Sequence, residues 1–430
     1  MTFLQSRNEA DALELVRKCV SRELPSGVPV PGDEEDFVQT GVIDSMGWVG
    51  ILSAIEETTG IRNFGNPWPD ELPQSVRSLA KIVCGSISQT AREKVGENIA
   101  LPPGSTVEVE LVGWGCALGS VRVEAASINR ECGLTPGTIE ERAGIQSVCR
   151  ADSNEDEATL GQKASELALQ VASLEPEEVD LVIATSATFL GFPSLSAVLH
   201  TRLLLRESCG TLDVGGACVG LLHGLATARS LLSSTRQGVA LVVASEVHSR
   251  RLCSPRVPGE FRGLFGDGAC AFVLRCSNGG TLQGPARLGD LVWGCSGTFA
   301  SSLRVAMRED NELEVHFQGQ ALAGAALSQL TRILDDLERR SGKLRNNVDY
   351  FAIHEPNPRI VGLFAERANI PMEKIPLVSR TFGNLGSATC GVSLCAALSK
   401  VEGGPTASAR PLIFVAAVGP GLIWGGTYLH

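Results

Sequence analysis

Over its first 90 residues the chain spaces its apolar side chains as helices do. Leu13, Val16 and Val20 recur at i, i+3 and i+7 on one face of a first helix, and Trp48, Leu52 and Ile55 do the same for a second. A Pro- and Gly-containing loop over 66–73 precedes a last short helix predicted over 75–84. No strand pattern interrupts these helices, so residues 1–90 are expected to form a small all-helical bundle. Between 86 and 105 the apolar periodicity disappears. The segment "SQTAREKVGENIALPPGS" is polar and ends in Pro-Pro-Gly, which predicts a linker over 91–106.

Beyond it the pattern changes. β-Branched apolar runs ("TVEVELVGWG", "VDLVIATSA", "VALVVASEV", "ACAFVL", "YFAIHEP", "PLIFVAAVG") alternate with helix-like stretches, as in an α/β domain with buried strands over 107–430. "FGDGACAFVL" and "VGPGLIWGGTYL" are both Gly-rich turns feeding an apolar strand, a hint of two similar halves.

Composition narrows the function. A net charge of -11 with no basic stripe argues against nucleic acid as a partner. The 13 cysteines are scattered, with no CxxC pair and no zinc-ligand spacing, so a reducing, cytoplasmic compartment is expected and no metal site. Charge appears at once (Arg7, Glu9, Asp11), unlike a signal peptide, and the apolar runs are broken before they could span a bilayer, so no membrane is expected as a partner.

Four residues carry candidate chemistry. Cys218, in "TLDVGGACVGLLHGLATA", is either a small buried apolar residue or a nucleophile. Gly215, Gly216 and Ala217 allow a tight strand-to-helix turn. A helix beginning at the cysteine would lower the thiol pKa. His354, in "AIHEPNPRI", and Asn384, in "TFGNLGSATCG", lie in small-residue loops that turn. His223 is close in sequence, but a helix would carry it away from the thiol. Ser45, in "GVIDSMGWVG", follows Asp44 at the start of the second helix. Both are good helix caps. An exposed hydroxyl at a helix start also suits a phosphate.

"GVIDSMGWVGILSAIEETTGI" resembles the second-helix motif of acyl and peptidyl carrier proteins. The resemblance implies 4'-phosphopantetheine carried covalently on Ser45, and a phosphopantetheinyl transferase as a partner. The remainder resembles β-ketoacyl-acyl carrier protein synthase III and its relatives in the thiolase superfamily. "EERAGIQS", "ATSATFLGFPS", "DVGGACVG", "FGDGA", "HEPNPRI" and "FGNLGSA" follow in the family's order. Glu355 and Pro356 stand where the family usually has other residues.

This resemblance implies a thiolase-like duplicated α/β/α/β/α domain, preceded here by the carrier bundle, and a homodimer. It also implies roles. Cys218 accepts an acyl group from a thioester. His354 and Asn384 donate hydrogen bonds to the enolate left when a malonyl-type extender on a carrier protein loses carbon dioxide. Phe189 or Phe192 either caps the partner subunit's acyl pocket or packs in the core.

Two departures bear on the chemistry. Thr138, in "PGTIEERAGI", replaces a tryptophan that stacks on coenzyme A's adenine, which points to a protein-borne donor. In "VGPGLIWGG", Pro420 falls where the family's oxyanion hole takes a backbone N–H, so the hole depends on Cys218's own amide or on Gly421. The expected function is decarboxylative Claisen condensation in fatty-acid or polyketide-type secondary metabolism. The rivals are acyl transfer to an oxygen, nitrogen or water acceptor, and a non-catalytic scaffold.

Overall fold

The computed structural model describes residues 9–24, 28–37, 43, 45–59, 75–89, 108–252, 257–276, 284–307, 313–402 and 410–430. The first three helices are α1 (Glu9–Glu23), α2 (Ser45–Thr59) and α3 (Val76–Gln89). Their shared core takes in Val16, Val20, Trp48, Leu52, Ile55, Leu79 and Val83, with Phe37 tilted against Trp48 at 5.4 Å. Burying each such side chain contributes roughly 1.5–3 kcal/mol.

Leu13 packs at the half-buried edge of this core, and the inward face of α1 is centred on Ala12, Val16, Cys19 and Val20. One expectation needs correction. The last helix does not stop at 84 but runs to Gln89. Losing an apolar stripe ends burial, whereas the i→i−4 backbone bonds need only the absence of a breaker. The predicted loop at 66–73, Asp44 and the linker at 91–106 lie outside the described residues.

The larger part is built on two sheets. The first contains β1 (Val109–Leu118), β2 (Leu181–Thr185), β3 (Gly210–Asp213), β4 (Gly238–Val247), β5 (Asp267–Cys276) and β6 (Ala286–Arg287), in the order β3-β2-β4-β5-β1-β6. The second contains β7 (Val292–Cys295), β8 (Tyr350–Ile353), β9 (Ile413–Gly419) and β10 (Ile423–Leu429), in the order β8-β9-β10-β7. Each of the apolar runs picked out along the chain supplies one of these strands.

The halves repeat one plan. In the first, β2 lies parallel to β4, β5 returns antiparallel, and β1 closes beyond it. In the second, β8 lies parallel to β9, β10 returns antiparallel, and β7 closes beyond it. The two Gly-rich turns read as a repeat lead into β5 and β10, the equivalent strands.

Helices cover these sheets in layers. α4 (Glu157–Ala172) packs on the outer face of the first sheet. The chain approaches closely there: a Cβ on Gly113 or Gly115 of β1 would fall 2.1 or 2.3 Å from the α4 carbonyls of Ala168 and Ala164. α5 (Gly220–Thr235) lies between the sheets. α6 (Gly319–Ser341) and α7 (Pro358–Ala368) cover the outer face of the second sheet, and α8 (Thr389–Glu402) joins α5 in the middle.

Strand residues alternate accordingly. Ile183, Val242 and Val415 face the central layer, while Val182, Val243 and Phe414 face outward into helices. A strand covered on both faces must be apolar at every position, which explains the unbroken runs. The result is the duplicated α/β/α/β/α arrangement expected.

The N-terminal helices sit on this body. α2 lies along α6, where Gly324, Ala325 and Ala326 leave space, and Val49 joins the outer core of the second sheet. Arg367 of α7 donates from Nη1 to Ser53 Oγ at 2.8 Å and from Nη2 to Glu56 Oε2 at 3.1 Å, and Ser328 of α6 donates to the same Glu56 oxygen. Among the described residues, no helix is long and apolar enough to cross a membrane, and no group of three or more His, Cys, Asp or Glu could hold a metal ion.

Candidate active site

The central layer ends at a cavity of about 500 Å³ lined by Cys218, His354 and Asn384 together. These three come from separate segments, each placed by backbone geometry. Leaving β3, the chain turns through Gly216 (φ 150°) and Ala217 (φ 45°) into a short 3-10 turn, Ala217–Val219, before α5 begins at Gly220. Ala217 in the left-handed region is strained, a cost the surrounding structure sustains, and the turn it makes sets Cys218 at the cavity edge. Gly419 faces it so closely that a Cβ there would sit 3.2 Å from Cys218 Cβ.

His354 follows β8, and its N–H donates to the Ala416 carbonyl at 2.8 Å, which fixes it beside β9. Asn384 is clamped by its main chain, donating to Leu264 O at 2.8 Å and accepting from Gly266 N at 3.0 Å. Its Oδ1 accepts from Gly386 N at 2.9 Å and Thr389 Oγ1 at 3.2 Å. With that oxygen engaged, the carboxamide is left with its NH2 as the group to offer the cavity.

Electrostatics correct one expectation. The thiol of Cys218 is not lowered but pushed up to about 12, first by burial and then by the Glu246 carboxylate, with a backbone hydrogen bond opposing weakly. The residue is half-buried and lines the cavity. The helix-start argument fails because the α-helix begins two residues later and desolvation outweighs a terminal dipole. His354 moves the other way, to about 4, through burial and the neighbouring His248, against a backbone hydrogen bond with Gly386 that favours the charged form. Its Nδ1 is buried and makes no hydrogen bond. At neutral pH the cavity therefore holds a thiol beside an uncharged imidazole.

Glu246 and His248, at the end of β4, were not singled out from the chain. Glu246 is fully buried and accepts from the N–H groups of Ala187 and Thr188 (3.0 and 3.1 Å), Ser387 Oγ (2.5 Å) and Ser186 Oγ (3.3 Å). It ties the loop beyond β2 to the segment that carries Asn384. The available signal was a carboxylate closing the apolar run "VALVVASEV". His248 lines the cavity, donates from Nδ1 to Gly266 O (3.2 Å) and lies tilted against Phe265 at 4.7 Å. Gly386 admits its ring, since a Cβ there would fall 2.6 Å from His248 Cε1.

The remaining candidates divide. Phe189 is half-buried at the edge of the outer core, and Phe192 is fully exposed on the isolated chain. Gly419 and Pro420 line the cavity, whereas Gly421 (φ 73°) stands one residue beyond and accepts from Cys295 Sγ. His223 points away, bonded to Gly215 O at 2.9 Å and edge-on to Trp293. Thr138 donates to Thr135 O and offers no aromatic face. Glu355 is fully buried and accepts from Val378 and Ser379 N–H, and burial raises it to about 7. Ser45 is the first residue of α2, whose first turn holds no carboxylate. Much of the cavity lining is apolar, with Leu252, Phe261, Phe265, Leu303, Val305 and Phe317, and suits an acyl chain.

Two family models match the chain: 3-oxoacyl-[acyl-carrier-protein] synthase III over 212–297 and its C-terminal part over 339–430. The β-ketoacyl-[acyl-carrier-protein] synthase III of Methylococcus capsulatus is 29% identical over 303 residues, covering 68% of this chain and 89% of that one. The synthase III structure from Pseudomonas aeruginosa PAO1 superposes with a TM-score of 0.67 at 25% identity, covering 75% of this chain and 98% of that one. The priming β-ketosynthase of the R1128 polyketide pathway shares the fold at a TM-score of 0.66 and 24% identity, covering 79% and 98%.

Proposed function

The larger domain of this chain is a synthase III-like domain of the thiolase superfamily, and from that premise we propose that it builds a β-ketoacyl thioester by decarboxylative Claisen condensation. The observation that carries this reading is the single cavity shared by a thiol, a neutral imidazole and a carboxamide at the end of an apolar pocket. In the first half-reaction Cys218 Sγ attacks a thioester carbonyl and the donor thiol leaves. Since the thiol is protonated at rest, its proton moves as sulfur attacks. The uncharged His354 is able to accept it and return it to the leaving thiol. In the second, a malonyl-type thioester loses carbon dioxide. N–H donors from His354 and Asn384 stabilise the enolate oxygen, its carbon attacks the acyl-Cys218 carbonyl, and the cysteine sulfur leaves and takes up a proton.

The carrier reading belongs to the same proposal. Ser45 fits a phosphodiester, because it opens a helix whose first turn has no competing carboxylate. A 4'-phosphopantetheine there, installed by a phosphopantetheinyl transferase, supplies a thiol on a long tether. Thr138 and its bond to Thr135 leave no stacking platform for adenine, which favours a protein-borne donor. We also place the chain in a homodimer: β3 is an exposed sheet edge, and Phe192 is left wholly uncovered until a second copy packs on this side.

Incubating holo chain with an acyl thioester and a malonyl thioester, and reading the product by mass, tests the reaction. A product longer by two carbons, lost in Cys218→Ala, is expected; its absence with an acylated Cys218 overturns condensation. One observation favours a second reading, transfer of the acyl group to an oxygen, nitrogen or water acceptor. Pro420 lines the cavity without an N–H to offer an oxyanion. The same assay then shows an emptied thioester and no lengthened chain.

A further inference from the structure

The contacts between α2 and α6 fix how the N-terminal helices are aimed. A Cβ on Gly324 would lie 3.1 Å from Leu52 Cδ1, and four residues on along both helices Ser328 donates to Glu56. The pairing thus advances in the same direction on each helix, and α2 and α6 run parallel. Seven residues before Leu52 is Ser45, the first of α2, and five before Gly324 is Gly319, the first of α6. At 1.5 Å per residue the start of α2 is drawn back about 10 Å, close to the level of the start of α6. The first turns of α6 border the cavity, through Gly319, Leu322, Ala323 and Ala326, with Phe317 just ahead of them.

We propose that this packing is the delivery pose of the carrier domain, in which α2 docks in the α6–α7 groove so that Ser45 stands at the mouth of the same chain's cavity. The inference rests on the carrier reading above. The interface is specific in a way that a chance contact is not. At its centre is an ion pair removed from water, with the side chains of Glu56 and Arg367 only 7% and 13% exposed; Ser328 donates to Glu56 and accepts from Arg367, and Ser53 accepts from Arg367. Around it are small residues on α6 and the apolar Val49 and Leu52 on α2. It is also reversible in design. Glu366 on α7 faces Glu23 of α1 and, after burial, is the next cause of the rise in the Glu23 pKa, so like charges oppose the contact at its edge. A carrier that must leave to be loaded and return to deliver needs this balance. Tethering raises the local concentration of the loaded arm, and the docked pose converts it into an aimed one.

A charge exchange tests the pose. Full-length chain is loaded at Ser45 with a butyryl-phosphopantetheine by a promiscuous phosphopantetheinyl transferase, and transfer to Cys218 is followed by peptide mass. Breaking one partner of a buried pair leaves the other charge uncompensated, so Glu56→Arg and Arg367→Glu are each expected to slow transfer roughly 10- to 100-fold. Combining the two in one chain restores most of the rate. The rate at which free butyryl-N-acetylcysteamine acylates Cys218 is measured in each variant as a check on folding. Loading with transfer indifferent to either single exchange, or not rescued by the double exchange, overturns the docked pose and leaves the carrier reading standing. Failure to load Ser45 at all overturns the carrier reading and the pose with it.

Discussion

The charge state of the cavity makes a sharp prediction about Cys218. Burial and the Glu246 carboxylate raise its thiol from 9.0 to about 12. At pH 8 a thiol of ordinary pKa is about one-tenth thiolate, while one at 12 is about one part in ten thousand. The three-unit gap is worth about 4 kcal/mol and about a thousandfold in reactive species. Iodoacetamide labelling of Cys218, resolved by peptide mass, should therefore run about a thousandfold slower at pH 8 than that of a solvent-exposed thiol. Its rate should climb tenfold per pH unit through pH 10 without levelling. His354 is the informative perturbation. In a thiolate–imidazolium pair, His354→Ala would remove the counter-charge and slow labelling sharply. Here the imidazole is uncharged, so the substitution mainly admits water, and labelling should hold or rise. A plateau below pH 9 in the unaltered chain, together with a collapse in His354→Ala, would refute the neutral pair and the proton movement drawn from it.

Three further expectations follow from the same geometry. Asn384→Ala should slow condensation on the order of 100- to 1000-fold, the usual cost of one oxyanion donor, while butyryl transfer onto Cys218, seen as a mass shift, persists. Because His354 is held near 4, below its ordinary 6.5, kcat/KM should show no inflection near pH 6.5. Its contribution to stability is full above 6.5 and fades as pH falls toward 4, and His248→Leu should raise its pKa in an NMR titration. Glu355 is held near 7, above its ordinary 4.5, so the native state keeps a proton that the unfolded chain releases. Stability should fall by roughly 3 kcal/mol as pH rises from 4.5 to 7, and denaturant midpoints of Glu355→Gln should lack that slope.

Much of the fold was legible along the chain because its signals are local. A strand sandwiched between helix layers must be apolar at every position, so the runs around Val242 and Val415 declared themselves. Helical spacing found α2 through Trp48, Leu52 and Ile55, and the motifs around Cys218, His354 and Asn384 marked the candidates. Where the apolar stripe of α3 ended, the helix did not, since hydrogen bonding along a helix leaves no trace in residue type.

Side-chain order determined which residues stand where on each element. Convergence and charge were decided by the folded body alone. Cys218 and His354 are 136 positions apart, and no spacing states that two sheets will bring them to one cavity. The ionisation of that pair depends on how much protein surrounds it and on Glu246 and His248, which reach it from another strand. Desolvation is a sum over everything packed nearby, so a helix start expected at Cys218 suggested a lowered thiol and the assembled core raised it. The aim of α2 along α6 is decided in the same way, by a buried ion pair whose members, Glu56 and Arg367, lie 311 residues apart.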